Sequence, residues 1–329
     1  MKWSFSHSKT FRKCQLQWYL ATRFSCANAK KNPLQRESYL LSKLQSVFAW
    51  RGNLVDTIIS ERVVPALSNK SAVSVEQALA WARRLFDEQL AFARARRWRE
   101  DGMTVEKAGG AYAALHGVEY GYDISEEIER AWEDVKSALG NFLGMDDLMA
   151  ELSTAVRLIP QRNLSYDLFG VTVKARPDLI AFFDDKPPLI VDWKVHTYAQ
   201  HDYRLQLAVY ALVLKNSKAH SDFDFPLHLS PYSVTDVRLL EAQLLTGYRR
   251  YYQLSDGDID DVENYIGASS AQMLLLGEGD AGEDVFPELG LAVRPETCER
   301  CNFRRFCWEG TLSKKEATCL VSKQTSFLF

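Results

Sequence analysis

Three charged residues near the middle of the chain have the types and spacing of a metal-dependent catalytic site. Asp178 ends an Arg-Pro-Asp sequence, and Asp192 and Lys194 follow on either side of Trp193. Carboxylate oxygens are the ligands that Mg²⁺ and Mn²⁺ prefer, and a lysine beside them can orient or deprotonate a water or stabilise an oxyanion. These residues predict metal-assisted hydrolysis of a phosphodiester.

Apolar runs around these residues predict the strands that would hold them. The sequence LIAFF follows Asp178 and PPLIV precedes Asp192, with a turn sequence between them, which indicates a β-hairpin. Side chains alternate along a strand, so Asp192 and Lys194 should share one face while Trp193 lies on the other. Charges inside apolar strands are costly without a metal or mutual pairing, which favours a site over a solvent-exposed charge pair.

A helix predicted after the hairpin brings two more polar side chains. The stretch 202–212 has the apolar spacing of an amphipathic helix. Gln206 and Tyr210 lie four residues apart and therefore share one face of it. We expect that face to lie beside the hairpin. The alternative for Tyr210 is a core aromatic whose hydroxyl is satisfied.

Three of the six cysteines form a second cluster near the end of the chain. Cys298, Cys301 and Cys307 have the spacing C-x2-C-x5-C. Closely spaced thiolates suit Zn²⁺ or an iron–sulfur cluster better than a disulfide. A fourth ligand is required, and the spacing by itself favours zinc.

The order of the first set of motifs resembles the PD-(D/E)xK nuclease superfamily, and within it the RecB-like branch. The shared pattern is Pro-Asp, then Asp-x-Lys, then Gln-x-x-x-Tyr on a helix. The resemblance implies a restriction-endonuclease-like α/β fold, with a mixed central sheet flanked by helices. It also implies an upstream helix with Gly-x-x-x-His, whose imidazole is a metal ligand. The best match begins at Gly52, where Asp56 replaces the histidine.

The resemblance assigns a role to each residue of the site. Four groups would bind Mg²⁺ or Mn²⁺, namely the side chains of Asp56, Asp178 and Asp192 and the backbone carbonyl of Trp193. Lys194 would position the attacking water and stabilise the transition state. Gln206 and Tyr210 would steady the site or the substrate backbone. The alternative for Asp56 is a surface acid on a helix.

Iron–sulfur members of the same branch imply a role for the cysteines. AddB-like and CRISPR adaptation nuclease-like exonucleases place one cysteine in an aromatic helix near the start of the chain and three near the end. Cys14 matches the first position. The implied ligands of a [4Fe-4S] cluster are Cys14, Cys298, Cys301 and Cys307. Such a cluster would join the two ends of the chain, with structural zinc as the alternative, and Cys26 and Cys319 have no predicted role.

Composition is that of a globular chain with a sizeable core. Of the 329 residues, 47% are hydrophobic and 25% charged, and the net charge of −3 does not itself indicate a nucleic-acid partner. The N-terminus has no apolar leader, and the apolar runs are too short to span a bilayer. Free thiols belong in a reducing compartment, so we expect a cytoplasmic location.

Arginines cluster with aromatics in the runs Arg94–Arg99, Tyr248–Tyr252 and around Arg304-Arg305. Such runs can contact phosphates and stack on unpaired bases. The alternative is a solvated helix face, which we favour for Arg94–Arg99. The tail Gln324–Phe329 resembles peptides that bind sliding clamps, and folding back onto its own domain is the alternative.

The pattern divides the chain into four expected segments. These are N-terminal helices with Cys14 and the first nuclease motif (1–64), a helical insertion (65–150), the nuclease core (151–255), and C-terminal helices with an iron–sulfur segment and tail (256–329). We expect a break at 65–70 and a capping box at Ser74–Gln77. Strands are expected near 152–160, 165–174, 178–183, 188–194 and 226–239, and helices over 240–276.

Together these features predict a metal-dependent DNA nuclease, acting as an exonuclease on single-stranded DNA and stabilised by a [4Fe-4S] cluster. DNA repair, CRISPR adaptation and antiviral defence would each use such an enzyme, with a helicase or an adaptation or defence protein as partner. One alternative is a noncatalytic DNA-binding or scaffold subunit whose nuclease site is vestigial. Another is an interaction module held together by zinc.

Overall fold

The computed structural model describes residues 1–28, 32–196, 203–218, 231–276 and 289–308. Within these ranges the chain is a mixed α/β structure whose sheets are flanked by helices. Cys319, the tail Gln324–Phe329 and the start of the predicted strand region at 226–239 lie outside the described residues. None of the described helices is both long enough and apolar enough to cross a membrane.

Eight strands form two sheets within the described ranges. The strands are β1 (Lys2–Ser4), β2 (Arg157–Pro160), β3 (Leu164–Leu168), β4 (Val171–Ala175), β5 (Leu179–Phe182), β6 (Leu189–Lys194), β7 (Arg238–Gln243) and β8 (Tyr248–Tyr252). One sheet has the order β1-β4-β3 and the other the order β2-β5-β6-β7-β8. The larger sheet is mixed, because β6 and β7 are parallel while the other neighbours are antiparallel.

Fourteen α-helices accompany the sheets in the same ranges. They are α1 (Phe5–Lys13), α2 (Gln15–Tyr19), α3 (Pro33–Ser42), α4 (Val47–Ile58), α5 (Val64–Ser68), α6 (Val75–Arg94), α7 (Val105–Ala108), α8 (His116–Tyr120), α9 (Ser125–Leu143), α10 (Asp146–Ser153), α11 (Tyr203–Asn216), α12 (Asp256–Leu275), α13 (Pro295–Glu299) and α14 (Arg304–Trp308). Short π-helical turns at Leu20–Phe24 and Ile59–Val63 extend α2 and α4.

The chain divides into two compact units. The first comprises Met1–Trp3 and Gln45–Gly267 and contains the larger sheet. In it α4 packs against α6 and α9, and α11 packs against β3, β4 and β6. Trp50 of α4 is fully buried, lies against the ring of Phe86 and donates its indole N–H to Gln89 at 2.6 Å. This buried contact between α4 and α6 helps to hold the helix that carries Asp56.

The second unit comprises Ser4–Leu44 and the chain from Ala268 onward. The two segments contact each other closely although they lie at opposite ends of the sequence. The side chain of Asn302 donates to the Leu44 carbonyl at 2.7 Å, and Arg305 pairs with Glu37 at 2.9 Å. Gly290 donates its backbone N–H to Gln15 at 2.7 Å. Polar contacts of this kind hold the N-terminal helices beside the cysteine motif.

Several predicted elements are confirmed. The β5–β6 hairpin pairs Leu179 with Val191, and both strands are almost wholly buried. The capping box is present at the start of α6, where the Ser74 side chain accepts from the Gln77 backbone and the Gln77 side chain accepts from Ser74. The predicted helix carrying Gln206 is α11.

Other predicted elements differ from the structure. The stretch 165–174 is a hairpin of β3 and β4, because Phe169 and Gly170 both adopt positive φ (50° and 74°) and reverse the chain. The strand expected at 152–160 is limited to β2, since α10 extends to Ser153. The break expected at 65–70 begins later, because Pro65 lies in the first turn of α5, where a missing N–H costs little. Strands β7 and β8 extend over 238–252, whereas we expected strand only up to 239 and helices from 240 onward.

Candidate active site and cysteine cluster

The C-terminal end of strand β6 carries Asp192 and Lys194 on one face of the larger sheet. Asp192 is buried, and its Oδ2 lies 2.5 Å from the Lys194 Nζ. Burial lowers the pKa of Lys194, but the charges of Asp192 and Asp178 raise it by a larger amount. The pKa of Lys194 therefore lies above its ordinary value. Lys194 is therefore a cation at neutral pH in this structure.

Asp178 lies directly before β5, beside the end of β6. Its Oδ2 accepts the backbone N–H of Trp193 at 2.9 Å, which fixes the carboxylate against the neighbouring strand. Burial and then the charge of Asp192 raise the pKa of Asp178 well above its ordinary value, and Asp56 adds to the effect. Burial likewise raises the pKa of Asp192. Ionising both buried carboxylates at once is therefore costly.

Helix α4 brings Asp56 to the same place. Its Oδ1 accepts the Trp193 indole N–H at 2.9 Å and the Gln161 amide at 2.6 Å. The same Gln161 nitrogen also donates to Asp178 Oδ1 at 3.1 Å. Burial raises the pKa of Asp56, although the hydrogen bonds from Trp193 and Gln161 partly offset that effect. Asp56 is therefore not a surface acid but a member of the carboxylate group.

Helix α11 supplies the two remaining predicted side chains. The Gln206 amide donates to the Tyr210 hydroxyl at 2.6 Å and lies 3.4 Å from Asp192 Oδ1. Burial and the charges of Asp192 and Asp178 raise the pKa of Tyr210, so its hydroxyl stays protonated. The structure thus brings Asp56, Asp178, Asp192, Trp193, Lys194, Gln206 and Tyr210 together. The metal-ligand and catalytic roles of all seven residues, including that of the Trp193 carbonyl, stay predictions.

Three residues of this region were missed by the sequence reasoning. Gln161 follows β2 with a left-handed φ of 52° and bridges Asp56 and Asp178. Glu241 of β7 is buried and stands opposite Asp192 in the parallel register. His196 follows Lys194 by two residues, and its Nε2 lies 2.5 Å from the Tyr203 hydroxyl. Of the three, only His196 could have been found from the sequence, because it continues the alternate spacing of Asp192 and Lys194.

The donor set fits a hard divalent cation. Three carboxylates meet at one end of the sheet, and their mutual repulsion is the kind of charge that Mg²⁺ or Mn²⁺ would neutralise. In the part of the chain that the structure describes, however, no three His, Cys, Asp or Glu side chains are arranged to hold a metal ion as they stand. The amide of Gln161 donates to two of the carboxylates. The buried Oδ2 of the third, Asp192, lies 2.5 Å from Lys194 Nζ but accepts no hydrogen bond from the described residues.

The four predicted cluster cysteines line one cavity of about 100 Å³ in the second unit. They are Cys14, Cys298, Cys301 and Cys307. Cys14 lies between α1 and α2, where its Sγ accepts the Gln17 N–H at 3.4 Å, and Cys301 accepts the Phe303 N–H at 3.4 Å. Cys26 is exposed and does not line this cavity.

Burial raises the pKa of three thiols that line this cavity. Burial, together with the neighbouring sulfurs, raises the pKa of Cys301 to about 11 and that of Cys307 to about 12. The pKa of Cys298 is raised for the same reasons. Thiols in one apolar cavity are the donor type of a thiophilic centre, either Zn²⁺ or an iron–sulfur cluster. As they stand, however, no three of the described Cys, His, Asp or Glu side chains are arranged to hold a metal ion.

The chain is similar to several known proteins. The model of the PD-(D/E)XK nuclease superfamily matches residues 2–308. The crystal structure of SSO0001 shares 14% sequence identity and a TM-score of 0.28, and the match covers 56% of this chain and 78% of that one. A crystal structure from Eubacterium rectale, provisionally assigned as an exonuclease, shares 10% identity and a TM-score of 0.33, covering 86% of this chain and 94% of that one. No curated protein sequence matches.

Proposed function

Because the chain belongs to the PD-(D/E)XK nuclease superfamily, we propose that it is a divalent-metal-dependent nuclease that hydrolyses DNA. The observation that carries this proposal is the meeting of Asp56, Asp178 and Asp192 with Lys194 at one end of the larger sheet. Carboxylates and a lysine in one buried group are the parts that metal-assisted phosphodiester hydrolysis needs.

The three carboxylates would hold Mg²⁺ or Mn²⁺, with the Trp193 carbonyl as a fourth ligand. The bound ion would supply positive charge that neutralises the scissile phosphate and the leaving oxygen. Asp178 is fixed for this task by the Trp193 backbone N–H, and Asp56 by the Trp193 indole. These two hydrogen bonds hold the ligands of α4 and β5 against β6 before any substrate arrives.

Lys194 would act as a cation and not as a base. Its pKa is raised by Asp192 and Asp178, so it holds its proton at neutral pH. An ammonium can donate to the attacking water and to the charged transition state. Gln206 and Tyr210 would steady Asp192 from the side of α11, since the Gln206 amide lies between the two.

Two finer features rest on the RecB-like resemblance. We propose that the enzyme prefers single-stranded DNA and degrades it from an end, in a repair or defence complex. We also propose that Cys14, Cys298, Cys301 and Cys307 bind a [4Fe-4S] cluster. Their common cavity supports a shared thiophilic centre, and the placement of one cysteine early and three late in the chain favours iron–sulfur over zinc.

An assay of end-labelled single- and double-stranded DNA with Mg²⁺ or Mn²⁺ tests the nuclease proposal. Asp192→Asn should lower the cleavage rate about 100-fold or more while leaving DNA binding intact, because it removes one ligand charge without changing the shape of the side chain. Asp184→Asn is the matched control, since Asp184 is an exposed residue in the turn between β5 and β6. Its cleavage rate should equal that of the wild-type protein.

Two results would count against the nuclease proposal. Undiminished cleavage by Asp192→Asn would place the activity at another site. DNA binding by the wild-type protein without any cleavage under either metal would favour the alternative of a noncatalytic DNA-binding subunit.

A further inference from the structure

The strand β8 carries two aromatic residues and an arginine on the face of the sheet that holds the carboxylates. Asp192 of β6 pairs with Glu241 of β7, and Glu241 pairs in turn with Arg250 of β8. Residues paired in register lie on the same face of a sheet. Alternation along β8 then places Tyr248 and Tyr252 on that face as well. We call Tyr248, Arg250 and Tyr252 the β8 stripe.

The stripe lies beside the candidate active site. Neighbouring strands are spaced by about 4.8 Å, so β8 is roughly 10 Å from β6. Glu241 lies between the two, because it pairs with Asp192 in the strand register and its carboxylate accepts the Tyr252 hydroxyl at 2.5 Å. A chain bound along the stripe would therefore pass within about two nucleotides of the carboxylates.

The side chains of the stripe are arranged to contact a ligand. Tyr248 is 56% exposed and the Arg250 side chain 43% exposed. The Arg250 guanidinium lies 5.6 Å from the ring centre of Tyr248 and donates to the Tyr252 hydroxyl at 3.3 Å. The two tyrosines and Glu241, whose carboxylate lies 4.0 Å from the guanidinium, thus hold the partly exposed arginine in place beside the solvent-exposed ring of Tyr248.

The opposite face of the same strand has a different environment. Arg249 forms an ion pair with Asp147 of α10. Burial raises the pKa of Tyr251, and the charges that act on it are those of Glu151, Arg249, Asp147 and Arg238. Tyr251 is nevertheless 55% exposed. It is therefore the same residue type as Tyr248 and similarly exposed, but it lies on the opposite face of the sheet. The strand therefore contains its own control for an experiment.

We propose that the β8 stripe binds single-stranded nucleic acid and guides it to the carboxylates. That the bound strand is guided to the carboxylates rests on the proposed nuclease function. The binding experiment that tests the stripe does not depend on that function. An open tyrosine ring can stack on a base only if that base is unpaired, and an adjacent arginine can contact the phosphate that follows it. Duplex bases are stacked on each other and do not offer their faces. The stripe therefore selects single strands.

Binding of a labelled single-stranded oligonucleotide, measured by fluorescence anisotropy without added divalent metal, tests this inference apart from cleavage. Tyr248→Ala should raise the dissociation constant about tenfold, since stacking of one base is lost. Tyr248→Phe keeps the ring and should bind as the wild-type protein does. Tyr251→Ala should change the dissociation constant less than about twofold, because it lies on the other face.

Two further probes separate stacking from charge. On a strand of abasic sugar-phosphate, Tyr248→Ala should bind as well as the wild-type protein, because no base is present to stack. Arg250→Gln should weaken binding of both the normal and the abasic strand. It should also reduce the steepness of log affinity against log salt by about 0.7, the value for one phosphate contact.

The inference is overturned if Tyr248→Ala and Tyr251→Ala weaken binding equally, if the loss persists on the abasic strand, or if blunt duplex is affected as strongly as single strands. Failure of the nuclease proposal would look different. In that case the wild-type protein would cleave neither substrate, while the dependence of binding on Tyr248 would remain.

Discussion

Gln161 is the residue that links two of the proposed metal ligands. Its amide donates to both Asp56 and Asp178, and its backbone N–H donates to the Asp178 carbonyl at 3.0 Å. Three hydrogen bonds from one residue explain why a non-glycine residue is held at positive φ there. A cation that takes up these carboxylates would replace the amide, so Gln161 stabilises the carboxylate pair of the metal-free protein.

The charge of Asp56 should set the metal affinity of the site. Asp56→Asn keeps the oxygen that accepts the Trp193 indole N–H but removes one of three negative charges. We expect the Mg²⁺ or Mn²⁺ concentration for half-maximal cleavage to rise about tenfold or more, as ligand-shell changes typically do. A metal titration of the cleavage rate measures this directly.

Glu61→Gln is the control for the Asp56 experiment, because Glu61 is an exposed acid little more than one turn further along the same helical segment. Its metal dependence should equal that of the wild-type protein. If Asp56→Asn also shows an unchanged metal dependence, Asp56 is a structural acceptor for Trp193 and the assignment of the first nuclease motif is wrong.

The sequence was informative at this scale where local rules apply. Alternation along one strand places Asp192 and Lys194 on a common face, and helical spacing pairs Gln206 with Tyr210. Gln161 and Glu241 join the site through a turn and through strand pairing, and neither leaves a local pattern. Their positions depend on contacts between residues far apart in the chain, which spacing alone does not determine.

At the scale of elements, the same limit explains why most of β7 was predicted as helix. The sequence RLLEAQLL consists mostly of good helix formers. In the structure, Arg238–Gln243 is almost wholly buried and pairs in parallel with β6, so tertiary packing overrides the local preference. The β5–β6 hairpin was predictable because its apolar runs and its turn lie next to each other in the sequence.

The arginine run at the end of α6 has a structural partner. Arg96 and Arg99 both bind Glu119 of α8, whose side chain is fully buried. Burial raises the pKa of Glu119, but the hydrogen bonds and charges of Arg99 and Arg96 lower it more, so the net pKa is below its ordinary value. This pairing fixes the junction between α6 and α8.

Glu119→Gln should therefore lower the free energy of unfolding by roughly 2–3 kcal/mol at pH 7, somewhat less than for a fully buried pair because both arginines are partly exposed. Urea unfolding measures the difference. A depressed folded pKa stabilises the protein above the unfolded pKa of about 4.3, and the effect is lost as pH falls through the folded pKa. The gap between wild type and variant should thus narrow below about pH 4.

Glu100→Gln provides the comparison for Glu119→Gln, since Glu100 pairs with Arg97 at the surface, where both side chains are about half exposed. A change within about 0.5 kcal/mol is expected there. A loss for Glu119→Gln as small as that would show that the α6–α8 junction does not depend on this ion pair.

At the scale of the whole molecule, segments from near the two ends of the chain belong to one unit. Ser4–Leu44 and the described residues from Ala268 to Trp308 pack together, and both contribute to the cavity lined by the four cysteines. The sequence predicted this meeting only through the family resemblance, because Cys14 has no nearby cysteine to pair with in a local motif. A centre bound by Cys14 and the C-terminal cysteines would cross-link segments that are otherwise held by side-chain contacts.

Loss of one cluster ligand should therefore loosen the second unit. We expect Cys14→Ser, purified without oxygen, to lose the brown colour and most of the bound iron, and to melt at a lower temperature than the wild-type protein. Closing a loop of nearly the whole chain removes roughly 4–5 kcal/mol or more of unfolded-state entropy, so the shift in melting temperature should be several degrees.

Cys26→Ser is the matched control for this experiment, because Cys26 lies in the same unit but is exposed and away from the cavity. It should keep the colour, the iron content and the melting temperature. If the wild-type protein is colourless and contains stoichiometric zinc, the four cysteines hold a structural zinc ion and not an iron–sulfur cluster. The wild-type protein could instead contain no metal, and Cys14→Ser could melt at the same temperature as the wild type. These two results together would refute any stabilising centre at these cysteines, because nothing would then cross-link the two segments.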